Sequence, residues 1–303
     1  MRGLSTQKKK SSSSSFLTDE KFALMLVIPI IVFELVLVAY PLSYSFWLSL
    51  NNIMYVHRSI TFVGPSNYIA VILDPGFLGY LVTTLRMTFD ITVLVILGGL
   101  GIALLLNETF KGRTLLRMLV LLPWAVSEYC TAVIWRYLYS ENLGFFNSFL
   151  LATGIVKENF VILTPQWAPE FLSIAYAWHY TPLIVFFILA GLQTVPEDLY
   201  RAARVDGAGA IKRFQKITYP HIRYAIIISL LLASMSAAIV TDSVILLTGG
   251  GPGIATSSLT WHIYELTFRD MEVGMGAAYS YILLVIMFIL GTSYFQLLFR
   301  KRG

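Results

Sequence analysis

Six apolar stretches, each long enough to cross a bilayer, constrain this chain more than any other feature. A helix of about 20 apolar residues spans a hydrocarbon core of about 30 Å, and such runs lie near residues 22–48, 80–106, 115–137, 171–193, 222–247 and 275–298. The 303 residues are 57% hydrophobic and 13% charged, whereas a soluble domain carries roughly a quarter charged residues. The reading is an all-α integral membrane protein with six transmembrane helices. A disordered tail is expected over residues 1–20, where Lys8, Lys9 and Lys10 precede the run Ser11 to Ser15, and a transmembrane domain over 21–303. The first apolar run exceeds the 7–15 residues of a signal peptide's core and no small-residue cleavage site follows it, so it is expected to stay as a helix.

Orientation follows from the positive charges, which resist translocation. With the N-terminus inside, cytoplasmic segments hold all of the 22 Lys and Arg residues except Arg58, Arg86, Arg136, Lys157 and Arg269. Both termini are therefore expected in the cytoplasm, and the segment between spans four and five with them. The net charge of +5 does not point to nucleic acid, because the basic residues cluster at the ends of apolar runs. A single cysteine, Cys130, excludes an internal disulfide framework or a Cys-based metal site. The four histidines, His57, His179, His221 and His262, are scattered and make no metal-ligand motif.

The segment between spans four and five, roughly 194–221, is polar and rich in ordering signals. Thr194 and Glu197 have the spacing of a capping box, with Pro196 in the first turn of a short helix. Leu199, Ala202, Ala203 and Val205 give that helix an apolar side, and Gly207 supplies the left-handed residue that ends it. A second short helix is expected from near Ala208, with Ile211, Phe214 and Ile217 on one face and Pro220 closing it. Two helices about a glycine elbow make a knob with an apolar ridge, suited to docking into another protein or to lying on lipid headgroups.

From Tyr200 to Ala208, reading Tyr-Arg-Ala-Ala-Arg-Val-Asp-Gly-Ala, and on to Ile217-Thr218-Tyr219-Pro220, this loop resembles the Glu-Ala-Ala loop of binding-protein-dependent ABC importer permeases. Gly207, Ile217 and Pro220 stand at the family's spacing; Arg201 replaces its usual Glu, and Tyr219 its frequent Leu. Phe62, Gly64, Asn67 and Tyr68 resemble the family's segment before span two, and Leu122-Pro123 its Leu-Pro in span three. Leu247-Thr248-Gly249-Gly250-Gly251-Pro252, Tyr264, Phe268 and Gly274-Met275-Gly276-Ala277-Ala278 resemble the sugar-importer, maltose/trehalose-type branch. The similarity covers roughly residues 20–298.

The resemblance implies the type I ABC importer permease fold, with a cytoplasmic coupling helix between spans four and five. Arg201, Ala202, Ala203, Asp206, Gly207, Ala208, Ile217 and Pro220 would form the loop that couples to an ATPase. It also implies a second homologous permease subunit, a dimer of ATP-binding-cassette ATPases carrying ATP and Mg, and an extracytoplasmic solute-binding protein that delivers a sugar. The chain itself has no Gly-x4-Gly-Lys-Ser/Thr loop, so it is read as a transport subunit without an ATPase site or cofactor of its own, embedded in lipid in the cytoplasmic membrane.

Span four carries Tyr176, Trp178, His179 and Tyr180, and positions 176, 179, 180 and 183 share one helical face. Tyrosine stacks on a sugar ring while offering a hydrogen bond; an interfacial aromatic belt is the competing explanation. By the resemblance, this span corresponds through Pro182 to the sugar-contacting helix. Tyr176, His179 and Tyr180 are thus candidates for the substrate pathway. In span five, Ser229, Ser236 and Ser243 recur every seven residues; close helix packing explains most of them, and Ser236 is the candidate contact. Charges within spans are costly and default to functional hypotheses. Of Glu34, Arg86, Asp90, Glu128, Arg136 and Asp242, Arg86 and Asp90 are expected to pair at i, i+4, and Glu128, beyond Pro123, to face the pore or the partner permease. The rival readings are a secondary transporter or channel using Glu128, His179 and Asp242, a membrane scaffold, and an importer of a non-sugar solute such as a glycerol phosphate ester.

Overall fold

The computed structural model describes residues 19–54 and 59–299. The lysine- and serine-rich stretch of the expected tail, His57, Arg58 and the basic residues Arg300 to Arg302 lie outside the described residues. The chain divides into two units, Met1–Leu48 and Ser49–Gly303. In the first, α1 (Asp19–Glu34) runs through a π-turn at Leu35–Ala39 into α2 (Tyr40–Ser49), and every side chain from Phe22 to Tyr44 is exposed. A helix that is apolar all round and buries nothing in its own unit is solvated by lipid or by another protein.

The second unit opens with a hairpin of β1 (Asn51–Met54) and β2 (Ser59–Phe62), antiparallel with Asn51 opposite Phe62. Next comes α3 (Ser66–Leu73), whose Asn67 amide donates to the carbonyls of Ser49 at 2.8 Å and Asn51 at 3.0 Å. There follow α4 (Phe77–Asn107), α5 (Arg113–Ala125), α6 (Glu128–Leu138), α7 (Phe145–Ala152), α8 (Ala168–Leu192), α9 (Glu197–Val205), α10 (Ala210–Arg213), α11 (Tyr219–Ala238), α12 (Leu259–Tyr264) and α13 (Val273–Phe299). The core lies where α4, α8 and α11 meet: Met87, Ile91 and Val95 of α4, Ile184, Val185 and Ile188 of α8, and Ile222, Ala233 and Ala237 of α11 are buried in one cluster. Small residues set the spacing. A Cβ on Gly99 would stand 2.8 Å from a methyl of Ile184, so any larger residue there would push α4 and α8 apart.

Five helical stretches among the described residues are long and apolar enough to cross a bilayer: Phe22–Ser49, Phe77–Asn107, Ala168–Leu192, Ala210–Ala238 and Val273–Gln296. The third expected span, 115–137, is not one helix. It consists of α5 and α6, bent by 93°. Val126 and Ser127 are extended, and the Ser127 hydroxyl caps α6 by accepting from the Cys130 N–H at 3.3 Å. A serine followed by an acidic first-turn residue is a helix start signal, and here it acts inside an apolar run.

The fifth expected span, 222–247, is displaced at both ends. Its helix begins at Ala210 and stops at Ala238. Beyond it, Thr241 donates its hydroxyl to the Ile239 carbonyl at 2.9 Å and Thr260 donates to the Val240 carbonyl at 2.8 Å, side-chain bonds that compete with continuation of the ladder. At the near end Pro220 does not close a separate helix. The π-turn Phe214–Thr218, closed by Tyr219 N–H to the Phe214 carbonyl, admits the proline, whose ring would clash with the carbonyl four residues back and which has no N–H to give. The same device precedes Tyr40-Pro41, where Tyr40 N–H reaches the Leu35 carbonyl.

Candidate functional site at two broken spans

Tyr176, His179, Tyr180, Ser236 and Glu128 come together where the α5–α6 pair and the end of α11 interrupt their spans. On α8 the rings of Tyr176 and Tyr180 stack at 5.9 Å, and His179 meets Tyr176 edge-on at 6.4 Å. The Tyr176 hydroxyl shares a 2.6 Å hydrogen bond with the Ser236 hydroxyl, and Tyr180 donates to the Leu232 carbonyl at 3.4 Å. His179 Nδ1 is 3.0 Å from the Pro123 carbonyl and 3.5 Å from the Thr131 hydroxyl. A carbonyl only accepts, so the neutral ring carries its proton on Nδ1 and leaves Nε2 as an acceptor. Glu128, at the start of α6, accepts from the Ser243 hydroxyl at 3.2 Å and the Ser243 N–H at 3.4 Å.

Backbone that is not helical at membrane depth is tolerated only where it is buried in protein or lines a cavity. Here both breaks are clothed by side chains from facing elements: His179 takes the Pro123 carbonyl and Thr260 takes that of Val240. Tyr176 is only 3% exposed, and Glu128, His179, Tyr180 and Ser236 are half-buried. It offers hydroxyls, a carboxylate and stacked aromatic faces, which is hydrogen-bonding and stacking chemistry for a polyol. Sequence reasoning missed Thr131 and Ser243 as members of the site. The seven-residue serine repeat was the available signal for Ser243; nothing marked Thr131.

The expected Arg86–Asp90 pair does not form. Arg86 instead pairs with Glu170 in the first turn of α8 and donates to the Gln166 carbonyl at 3.4 Å. The helices α4 and α8 lie side by side, and the carboxylate across the groove takes the guanidinium. Asp90 Oδ2 is buried without a hydrogen-bond partner. Arg136 caps the turn after the fifth span through the Leu246 carbonyl at 3.1 Å, whereas Asp242 and Glu34 are exposed.

A second polar cluster, not anticipated from sequence, lies at the hairpin end of this unit. His262 stacks on Tyr80 at 4.1 Å and meets Tyr279 edge-on at 4.8 Å; its Nε2 is 3.9 Å from the Asp74 carboxylate, to which Tyr279 also donates. Burial lowers the His262 pKa against the opposing pull of Asp74 and Asp270, which favours the neutral ring. A cavity of about 230 Å³ opens beside it, lined by Asp74, His262, Glu272 and Tyr279 among others. A larger one, about 440 Å³ between α11 and α13, is lined by Met235, Leu284, Met287, Phe288 and Phe295 with Gly291 and Thr292. It offers little to a polar solute, since the Thr292 hydroxyl is spent on its own helix.

The loop between spans four and five forms the expected glycine elbow. Gly207 has φ +71°, a conformation that costs an L-residue about 1–2 kcal/mol. Gly207 N–H donates to the Arg204 carbonyl at 3.1 Å and Ala208 N–H to that of Ala203 at 2.9 Å, the paired bonds of a Schellman motif. The capping box does not form: Thr194 donates its hydroxyl to the Gly191 carbonyl, and Pro196 occupies the N-cap of α9. The second helix starts at Ala210, near the expected Ala208. Arg201 folds back on Glu197 at 2.9 Å. Of the expected apolar ridge, Val205 at 88% and Ile211 at 75% exposure point outward. Ile217 does not belong to the ridge; it packs inward against the core, and Tyr200, bonded to the Thr218 hydroxyl at 2.9 Å, clasps α9 to the following π-turn.

A multi-pass helical bundle with two broken spans around a polar, aromatic cluster, and a knob at one end of a crossing helix, defines a membrane permease subunit. The family model for the binding-protein-dependent transport system inner membrane component matches residues 95–302, and the chain belongs to that family. It is 36% identical over 94% of its length to the trehalose/maltose transport system permease protein MalF of Thermococcus litoralis, covering 94% of that protein. To the trehalose transport system permease protein SugA of Mycobacterium tuberculosis it is 31% identical, over 89% of this chain and 86% of that one. The fold matches a chain of a bacterial ABC transporter that imports the acidic polysaccharide alginate, with TM-score 0.80 and 19% identity over 93% and 96% of the two chains.

Proposed function

We propose that this chain is one permease subunit of an ATP-driven importer that carries a neutral sugar across the cytoplasmic membrane by alternating access. One observation carries the proposal: the exposed Val205–Ile211 elbow leads into a single helical run from Ala210 to Ala238, which bears Ser236 of the polar cluster. Over about 39 Å, at 1.5 Å per residue, that run connects a docking knob to the site. In this reading an ATPase dimer, holding ATP and Mg, grips the knob from the cytoplasm. A second permease completes the pathway, and an external binding protein delivers the solute. Both termini face the cytoplasm, on the side where Lys and Arg accumulate. Closure of the ATPases swings the run and separates Ser236 from Tyr176, freeing both hydroxyls, with the stacked rings and Glu128, for solute. The sugar class rests on the two trehalose-transporting relatives and on the site's chemistry. With a carboxylate and no Lys or Arg among its members, it favours a neutral polyol over a phosphate ester.

The test is ATPase activity of the complex obtained by pulling down this chain with its co-expressed partners. Turnover should rise when binding protein loaded with trehalose or maltose is added, and Gly207→Asp should lose that stimulation. If no ATPase copurifies, the knob is not a coupling device and an ATP-independent transporter takes its place.

A further inference from the structure

We infer that the segment between α6 and α8, residues 139–167, is a foot that rests in the headgroup layer of the membrane, with α7 lying on lipid. This surface is separate from the polar cluster and from the knob, and the inference does not rest on the importer reading. Fifteen of the segment's 29 residues are apolar, and its charged residues are Glu141, Lys157 and Glu158. Yet its apolar side chains are turned out: Leu143 is 81% and Ile155 69% exposed, and Phe145, Phe149, Val161 and Trp167 are exposed as well.

The orientation of α7 is fixed from its inner face. Phe146 packs on Trp135 at 6.1 Å and Tyr139 at 5.6 Å. Asn147, 1% exposed, donates to the Phe160 carbonyl at 3.0 Å and accepts the Phe160 N–H at 3.2 Å. That clasp leaves Phe145 and Phe149, stacked at 6.0 Å, on the outer face. The level of the segment is fixed by α6, which climbs α8 from Thr131 beside His179 to Tyr139, whose hydroxyl donates to the Phe171 carbonyl at 3.0 Å. The foot therefore leaves the bundle at the end where α8 begins.

The occupant follows from the aromatic side chains at the end of the span. Ile134 and Tyr137 of α6, on the crossing pair itself, are exposed as well. Phe, Tyr and Trp at the end of a span are the side chains that settle at the lipid–water boundary. The polar residues Glu141, Asn142, Lys157, Glu158 and Asn159 are exposed beside them and would face the headgroups, as the polar side of an interfacial helix does.

The test uses the reconstituted complex in nanodiscs, with Cys130→Ser removing the native thiol and Phe149→Cys or Phe145→Cys carrying an environment-sensitive fluorophore. Both sites are exposed, so the label displaces nothing in the core. The expected result is blue-shifted emission, quenched several-fold more by lipid bearing a nitroxide near the headgroup than at the chain end, and unchanged by added solute-binding protein. Water-like emission quenched by iodide and indifferent to nitroxide lipids would overturn the inference. So would an emission shift caused by the binding protein, which would make the foot a protein-docking surface.

Discussion

Glu128 is the residue on which the chemistry of the cluster turns, because its carboxylate is the acceptor for both donors of Ser243. Glu128→Gln keeps an oxygen acceptor in the same place; Glu128→Leu leaves a buried hydroxyl and N–H unpaired, at a cost of about 1–3 kcal/mol. If the carboxylate acts by hydrogen bonding to a polyol, uptake of labelled sugar into proteoliposomes should stay near wild type in Glu128→Gln and fall at least tenfold in Glu128→Leu, about 1.4 kcal/mol. Equal loss in both variants, with unchanged thermal stability, would mean that the charge itself is used, as in a proton relay. That Glu128, Tyr176, His179 and Tyr180 are legible in sequence has a physical reason: polar side chains stand out against an apolar helix. Ser236 and Ser243 are marked by their seven-residue repeat alone and Thr131 by nothing, because a small hydroxyl residue suits close helix packing equally well.

At the scale of elements, the spans are legible and their interruptions are not. Hydropathy averages over a window, so it registers the apolar run from 115 to 137 and passes over the turn at Val126–Ser127; the serine and glutamate there are the only local trace. The end of the fifth span is less visible still, because it is enforced from another element. Thr260 lies at sequence distance 20 from the Val240 carbonyl it satisfies. Thr260→Val should leave that carbonyl unpaired and cost about 1–3 kcal/mol, lowering the thermal midpoint by about 2–10 °C, while Thr260→Ser should restore most of it. An unchanged midpoint in Thr260→Val would show that the break is stable without its clasp. The Arg86 mispairing has the same origin: spacing along α4 favours Asp90, but the packing of α8 against α4 supplies Glu170.

For the whole molecule, the useful contrast is between apolar residues that hold the bundle together and those that the bundle leaves unused. Val205 and Ile211 belong to the second kind and Ile217 to the first, although sequence periodicity placed Ile211 and Ile217 on one ridge. A docking role and a folding role then separate cleanly. The Val205 and Ile211 side chains are both exposed, and a carboxylate at the C-terminal end of α9 costs about 0.3–1 kcal/mol against the helix dipole, so Val205→Asp and Ile211→Asp should lower the thermal midpoint by no more than about 5 °C. Burying a carboxylate at Ile217 strands a charge against the core and should unfold or strongly destabilise the chain. If the elbow is the surface that an ATPase grips, the first two variants should purify folded and bare of ATPase, and the double variant should support no ATP-dependent uptake. Retention of the ATPase by both folded variants would move the docking surface elsewhere on the same end of the bundle and break the mechanical link from elbow to Ser236.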